Sequence, residues 1–190
     1  MGLPGAGKTT VAALAADLLG APRFDLDQAI SDYHEAPIPE LFSLYGEPWF
    51  RAEERAAMER LLAGPPAVIA TGGGWAAQPG NLATAEGRGL TLYMSVSPEL
   101  AAARLEGVGD RPLLAGAALP RLRELLAARE AYYRRADLEI DASGAPDAVA
   151  AAVATAAKGD IPITLTSLGT VTLLATVTVK SQVSGYLTEI

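Results

Sequence analysis

The segment at residues 2–9, GLPGAGKT, constrains this chain most, because it matches the pattern G-x-x-x-x-G-K-[ST] at every fixed position. In this pattern the backbone N–H groups of a glycine-rich loop surround phosphate groups, and the N-terminus of the following helix favours an anion. Residues 10–19 read as that helix, and Gly20 takes the position where helices commonly end. The sequence therefore predicts a nucleotide-binding domain built on this loop.

The residue types at the end of the loop predict separate roles in holding a nucleoside triphosphate. Lys8 is expected to reach the β- and γ-phosphates as a point charge, and the Thr9 hydroxyl is expected to bind Mg²⁺. The residues predicted to contact the nucleotide in this segment are Gly5, Ala6, Gly7, Lys8, Thr9 and Thr10.

A phosphate loop of this kind normally follows a buried apolar strand, yet only Met1 precedes Gly2 in the sequence given. We therefore expect the first strand to be missing from this chain. Because that strand is usually central, its loss should expose the edges of the neighbouring strands and an apolar helix face.

Further along the chain, short apolar runs alternate with longer amphipathic ones. The expected strands are residues 22–25, 67–71, 90–96 and 138–141. The expected helices are residues 27–33, 39–45, 48–62, 79–86, 98–105, 119–135 and 146–157. This alternation favours the α/β class, with a mainly parallel sheet sandwiched by helices as in P-loop NTPases.

Composition changes abruptly near Gly159, and this divides the chain. Residues 160–190 contain seven threonines, one alanine and three charged residues, whereas the preceding part is rich in alanine. The tail alternates apolar and hydroxyl residues with the period of two that is typical of strands. We predict a nucleotide-binding domain at residues 1–158 and a fragmentary β-strand tail at 159–190.

Charge and composition exclude several classes of function. A net charge of −7 argues against non-specific binding to nucleic acid or to a membrane surface, and the absence of cysteine excludes disulfides, thiolate zinc sites and cysteine nucleophiles. Neither a membrane span nor a signal peptide is predicted. We expect a cytoplasmic, monomeric protein.

Polar residues outside the loop predict the acceptor. Arg51, Arg111 and Arg129, together with Asp25 and Asp27, could form a pocket that is cationic on one side and acidic on the other. Guanidinium groups bind a carboxylate through paired hydrogen bonds, and an aspartate accepts hydrogen bonds from hydroxyl groups. An anionic, hydroxylated small molecule would match such a pocket.

Taken together, these motifs closely resemble those of shikimate kinases over about residues 2–157. The matching motifs, in order, are residues 2–9, 25–27, 46–51 with Glu54, 72–74, 111–114 and 129–134. The resemblance implies a P-loop kinase that uses ATP and Mg²⁺ to phosphorylate the 3-hydroxyl of shikimate.

The resemblance also implies roles for acceptor-binding residues. Asp27 matches the aspartate that binds shikimate hydroxyls and takes the proton from the attacking oxygen, while Asp25 matches the one that helps hold Mg²⁺. Arg51 and Arg129 match the two carboxylate-binding arginines, and Glu54 matches the residue that supports the substrate arginine. The glycines that match those lining the substrate site are Gly72, Gly73 and Gly74.

Two further arginines take nucleotide-side roles by the same resemblance. Arg111 matches the lid arginine that closes over the phosphates and stabilises transition-state charge, so its removal should depress turnover more than substrate affinity. Arg104 matches an arginine near the adenine.

Two other interpretations of the function of this chain stay open. The tail has a separate resemblance. The chain could be a related small-molecule kinase, such as a gluconate kinase, or a catalytically inactive nucleotide-binding chimera. Residues 161–190 are similar to a strand segment of periplasmic adaptor proteins from tripartite efflux pumps.

Overall fold

The structure is a computed structural model that describes residues 1–106 and 118–158. Arg111 and the predicted tail at residues 159–190 lie outside the described residues, so their assignments stay predictions.

The described strands form two parallel pairs. Strand β1 (Arg23–Asp25) pairs with β2 (Val68–Ala70), and β3 (Leu92–Ser95) pairs with β4 (Leu138–Asp141). Parallel strands need crossover connections, and helices supply them here. The predicted α/β class with parallel strands between helices is confirmed.

Seven α-helices occur in the described ranges 1–106 and 118–158. They are α1 (Lys8–Leu19), α2 (Leu26–His34), α3 (Ile38–Leu62), α4 (Asn81–Ala85), α5 (Pro98–Leu105), α6 (Ala118–Tyr133) and α7 (Pro146–Lys158). Local chemistry sets several ends. Gly20 ends α1 with φ 62°, where its N–H reaches the carbonyls of the last turn, and the Ser97 hydroxyl begins α5 by accepting a hydrogen bond from Leu100 N at 3.2 Å.

Helix α3 is broken at Gly46, which has φ 78° and ψ 172°. The sequence predicted two helices separated by this glycine, and the structure places them end to end across it. Pro48 tolerates its position because it lies in the first turn after the break. Helix α3 is therefore kinked at Gly46. Its second half carries Arg51 and Glu54.

Two apolar cores flank the central strands. The first unites the phosphate loop, β3, α1, α5, α6 and α7, and it includes Leu3, Val11, Met94, Ala101, Leu122, Val149 and Val153. The second lies under α2 and α3 and includes Leu26, Ile30, Leu41, Phe50, Met58, Trp75, Tyr93 and Tyr133. The side chains of the candidate active site, described below, are carried by elements that contribute to both cores.

The phosphate loop starts beside β3. Met94 N donates a hydrogen bond to the Met1 carbonyl at 2.9 Å, so the loop begins alongside this strand.

Across residues 1–106 and 118–158, none of the helices combines the length and the apolar character needed to cross a bilayer.

Candidate active site

The phosphate loop is closely packed against α5. Gly5 has φ 82°, and a Cβ atom added there would lie 2.5 Å from the Ala101 carbonyl oxygen. Gly7 precedes α1 with φ 80° and opens onto free space. Only glycine suits position 5, because its backbone has a positive φ and because the Ala101 carbonyl leaves no space for a Cβ atom.

Lys8 folds over the loop that precedes it. Its Nζ donates hydrogen bonds to the carbonyls of Gly2 at 3.0 Å and Leu3 at 2.8 Å. The ammonium group is thus held at the mouth of the loop, close to the backbone N–H groups that would receive phosphate oxygens. Its contact with the β- and γ-phosphates stays a prediction.

The two residues predicted to hold Mg²⁺, Thr9 and Asp25, lie in direct contact. The Thr9 hydroxyl donates to Asp25 Oδ2 at 2.9 Å, and Asp25 Oδ1 accepts from Asp27 N at 3.2 Å, which caps α2. A threonine hydroxyl and a carboxylate are the hard oxygen donors that Mg²⁺ prefers, and Mg²⁺ commonly takes few protein ligands besides phosphates and water. The donor set therefore fits the predicted metal position.

Arg51 is fixed by two glutamates on its own helix. Its Nη1 donates to Glu54 Oε2 at 2.8 Å, and its Nη2 donates to Glu47 Oε1 at 2.8 Å. Burial acts to lower the pKa of Arg51, but hydrogen bonds and charge from the glutamates outweigh it, so the pKa is raised. The guanidinium stays charged and is held in one orientation.

Glu54 is the buried acid of this group, with only 1% of its surface exposed. Burial raises its pKa, and the nearby Asp27 carboxylate acts in the same direction, while Arg51 and Arg129 oppose the shift. Two cations and two carboxylates therefore interact in one region of the fold.

The glycines at 72–74 mark where these side chains meet. A Cβ atom at Gly72 would lie 3.3 Å from Asp27 Oδ1 and 3.4 Å from Glu54 Oε1. At Gly74 it would lie 3.1 Å from Arg51 Nη1. A Cβ atom at either position would require these polar side-chain ends to shift by a few tenths of an ångström, so glycine lets them lie close to the backbone.

Gly73 connects this region to the phosphate loop. A Cβ atom at Gly73 would lie 3.1 Å from the Gly2 carbonyl oxygen and 3.7 Å from Arg129 Nη1. The Gly2 carbonyl is also the acceptor for Lys8. Arg129 approaches Gly73 directly and Lys8 approaches it through the Gly2 carbonyl, although 121 positions separate the two residues in the sequence.

A cleft of about 790 Å³ extends from the phosphate loop to Asp27 and the first two of the three glycines, and neither Arg51 nor Arg129 is among the residues that line it. Its wall runs from the phosphate loop through Asp25 and Asp27 to Gly72 and Gly73. The wall also contains residues that the motifs did not predict, among them Gln28, Ser31, Ile38 and Thr71. Ser31 lies about one turn after Asp27 on α2, so helical spacing was a signal that could have found it.

Arg104 lies in the wall of the same cleft, at the end of α5. Its guanidinium donates to the carbonyls of Ala142 at 2.9 Å, Ser143 at 3.1 Å and Gly144 at 3.2 Å. It therefore fastens α5 to the loop between β4 and α7. Its predicted role near an adenine stays a prediction.

Residues 4–158 match the family model described as shikimate kinase. The chain is 36% identical over 151 residues to a shikimate kinase of Neisseria gonorrhoeae. The matched region covers 78% of this chain and 89% of the relative. It is 41% identical over 139 residues to a shikimate kinase of Paracidovorax citrulli. This match covers 72% of this chain and 76% of the relative.

Solved structures give a consistent result. A shikimate kinase from Acinetobacter baumannii in complex with shikimate is similar with a TM-score of 0.75 and 35% identity, covering 82% of this chain and 88% of that one. A shikimate kinase from Bacteroides thetaiotaomicron is similar with a TM-score of 0.76 and 28% identity, covering 80% and 93%. The family match ends at residue 158, and the adaptor resemblance of the tail stays a prediction.

Proposed function

Since this chain belongs to the shikimate kinase family, we propose that it transfers the γ-phosphoryl group of ATP to the 3-hydroxyl of shikimate. One observation carries the proposal. A cleft extends from the phosphate loop to Asp27, Gly72 and Gly73, and the guanidinium groups of Arg51 and Arg129 approach the same run of glycines. Phosphoryl transfer needs its two reactants held close and in line, and such a cleft supplies that arrangement.

The two arginines bind the carboxylate of the acceptor in this proposal. A guanidinium can pair with both oxygens of a carboxylate, and Glu54 holds Arg51 ready for that contact. The bare backbone at Gly73 and Gly74 lets the Gly2 carbonyl and the Arg51 guanidinium pack closely against this stretch. The recognition pattern favours a compact hydroxylated acid.

Asp27 orients the attacking hydroxyl and accepts its proton. Its carboxylate lies at the glycine turn, on the acceptor side of the cleft, and its backbone N–H is tied to Asp25. The proton is transferred late in phosphoryl transfer, so a strongly raised pKa is not required for this role.

On the nucleotide side, Lys8 and the N-terminus of α1 stabilise negative charge on the phosphates. Thr9 and Asp25 would hold Mg²⁺, which when bound neutralises charge on the phosphate oxygens. Arg111 and Arg104 belong to the same proposal, as the lid arginine and as a contact near the adenine.

The proposal also covers the oligomeric state, the location and the partners of the enzyme. We propose that it acts as a monomer in the cytoplasm, without nucleic-acid or membrane partners, a view supported by its net charge of −7. The tail at residues 159–190 is proposed to be a separate fragment that takes no part in the reaction.

The direct test is a coupled assay of ADP release with two acceptors. We expect kcat/KM for shikimate to exceed that for gluconate by at least ~100-fold, because only shikimate presents a ring carboxylate to paired arginines. A preference for gluconate would support the related kinase instead. Tight ATP binding without turnover of either acceptor would support an inactive nucleotide-binding chimera.

Arg51→Lys should raise KM for shikimate by ~10-fold or more and change KM for ATP by less than ~2-fold. Lysine keeps the charge but loses the planar fork that pairs with a carboxylate. Steady-state kinetics with each substrate varied in turn measures both constants. Arg60→Lys is the matched control, because Arg60 is on the same helix, is 41% exposed in its side chain and pairs with Glu53. Equal effects in the two variants would remove Arg51 from the acceptor site.

A further inference from the structure

Tyr133, the last residue of α6, is fully buried and makes a polar contact at the centre of the site. Its hydroxyl donates a hydrogen bond to the carbonyl of Gly73. Its ring stacks on Tyr93 of β3, with centroids 5.2 Å apart and planes inclined by 27°. The side chain is therefore fixed by packing, and its single polar atom is directed at the glycine turn.

The hydroxyl is also kept in its donor form. Burial raises the pKa of Tyr133, and the positive charge of nearby Arg129 only partly opposes this. A protonated phenol at neutral pH can serve as a stable hydrogen-bond donor to the carbonyl.

Tyr133 and Arg129 lie one helical turn apart on α6, so they approach the glycine turn together. Arg129 Nη1 is the closest side-chain nitrogen to the position that a Cβ atom of Gly73 would take, at 3.7 Å. The contact from Tyr133 to the Gly73 carbonyl thus joins the helix that carries Arg129 to the backbone against which Arg51 lies.

A second polar contact holds the segment just beyond the turn. Asn81 is fully buried, and its Nδ2 donates to the Trp75 carbonyl at 3.0 Å while its Oδ1 accepts from Arg55 Nε at 3.0 Å. This network ties the segment to α3, and Tyr133 ties the turn to α6. Glycine has no side chain with which to fix its own peptide planes, so the turn depends on such outside partners.

We propose that Tyr133 is a positioning residue for acceptor binding. By holding the Gly73 carbonyl it sets the spacing between Arg129 and the backbone beside Arg51, and so the separation of the two guanidinium groups that bind the carboxylate. This inference rests on the proposed function, and it adds a residue to which no role has been assigned.

The test compares Tyr133→Phe with Tyr132→Phe in the full chain. The first change removes one hydroxyl and keeps the ring on Tyr93, and the second removes a hydroxyl from a neighbour that is 40% exposed. We expect Tyr133→Phe to raise KM for shikimate by ~5- to 20-fold, as for the loss of one buried hydrogen bond that orders a binding site. KM for ATP should change by less than ~2-fold, and Tm should fall by no more than about 5 °C. Tyr132→Phe should leave all three values unchanged.

A second readout does not depend on activity. Amide hydrogen exchange of the peptide spanning residues 71–77, measured without ligand, should become at least ~10-fold faster in Tyr133→Phe and stay unchanged in Tyr132→Phe. If the wild-type chain fails to use shikimate, the proposed function fails, and the exchange result still decides whether Tyr133 holds the turn. Unchanged exchange, or an equal rise in both KM values, would overturn the positioning role.

Discussion

Asp27→Asn should lower kcat for shikimate phosphorylation by about 10²- to 10⁴-fold, the range usual for loss of a positioned general base. The amide keeps the size of the side chain and can still hydrogen-bond to a hydroxyl, but it cannot accept the proton. KM for ATP should change by less than ~3-fold, because Asp27 lies at the glycine turn on the acceptor side of the cleft. Steady-state ADP release at saturating ATP measures the effect.

Asp32→Asn is the matched control for this prediction. Asp32 is on the same helix, is exposed and accepts a hydrogen bond from Gln28 Nε2 at 2.7 Å, so the variant makes the same charge change away from the glycine turn. We expect kcat to stay within ~2-fold of the wild-type value. If Asp27→Asn retained more than a tenth of the wild-type kcat, Asp27 would not be the base.

Gly5→Ala should destabilise the protein by about 3 kcal/mol or more, which corresponds to a fall in Tm of ~6–12 °C for a chain of this size. Alanine at φ 82° costs about 1–2 kcal/mol in backbone strain. The added Cβ would also lie 2.5 Å from the Ala101 carbonyl oxygen, a backbone atom that cannot move without shifting α5. Thermal unfolding followed by circular dichroism measures the change.

Gly7→Ala separates the two causes. Gly7 has φ 80°, nearly the same conformation, but a Cβ atom there would meet nothing within 4 Å. We expect it to lose only the strain contribution, about 1–2 kcal/mol. Equal losses in the two variants would mean that a Cβ atom at position 5 is accommodated against α5 without further cost.

Sequence analysis predicted the features that depend on local chemistry. Gly20 and Gly46 marked real helix boundaries because their positive φ values suit glycine, and the loop motif defined the start of α1. The helix expected at residues 79–86 is shorter, at Asn81–Ala85. It begins after Gly80, whose φ of 82° is not helical. The burial of Asn81 by contacts with Arg55 of α3 and with the Trp75 carbonyl is a feature that no local pattern could reveal.

The site was predicted in outline through the resemblance to shikimate kinases, and its supporting contacts were not. Arg51 and Glu54 are three positions apart on one helix, so their pairing could have been read from spacing. The contact from Tyr133 to Gly73 spans 60 positions, and the contacts of Arg104 with the loop after β4 span about 40. Such contacts depend on how the helices pack, which residue types alone do not determine.

The packing of α1 on α7 has a consequence for how the molecule is made. Val11 and Ala15 of α1 share a core with Val149 and Val153 of α7, so residues that leave the ribosome early are covered by ones that leave it more than 130 positions later. Long-range closure of this kind slows folding and leaves apolar surface open on the nascent chain. Leu3 and Ala6 of the phosphate loop belong to the same core, so the loop acquires its full support only when synthesis has passed α7.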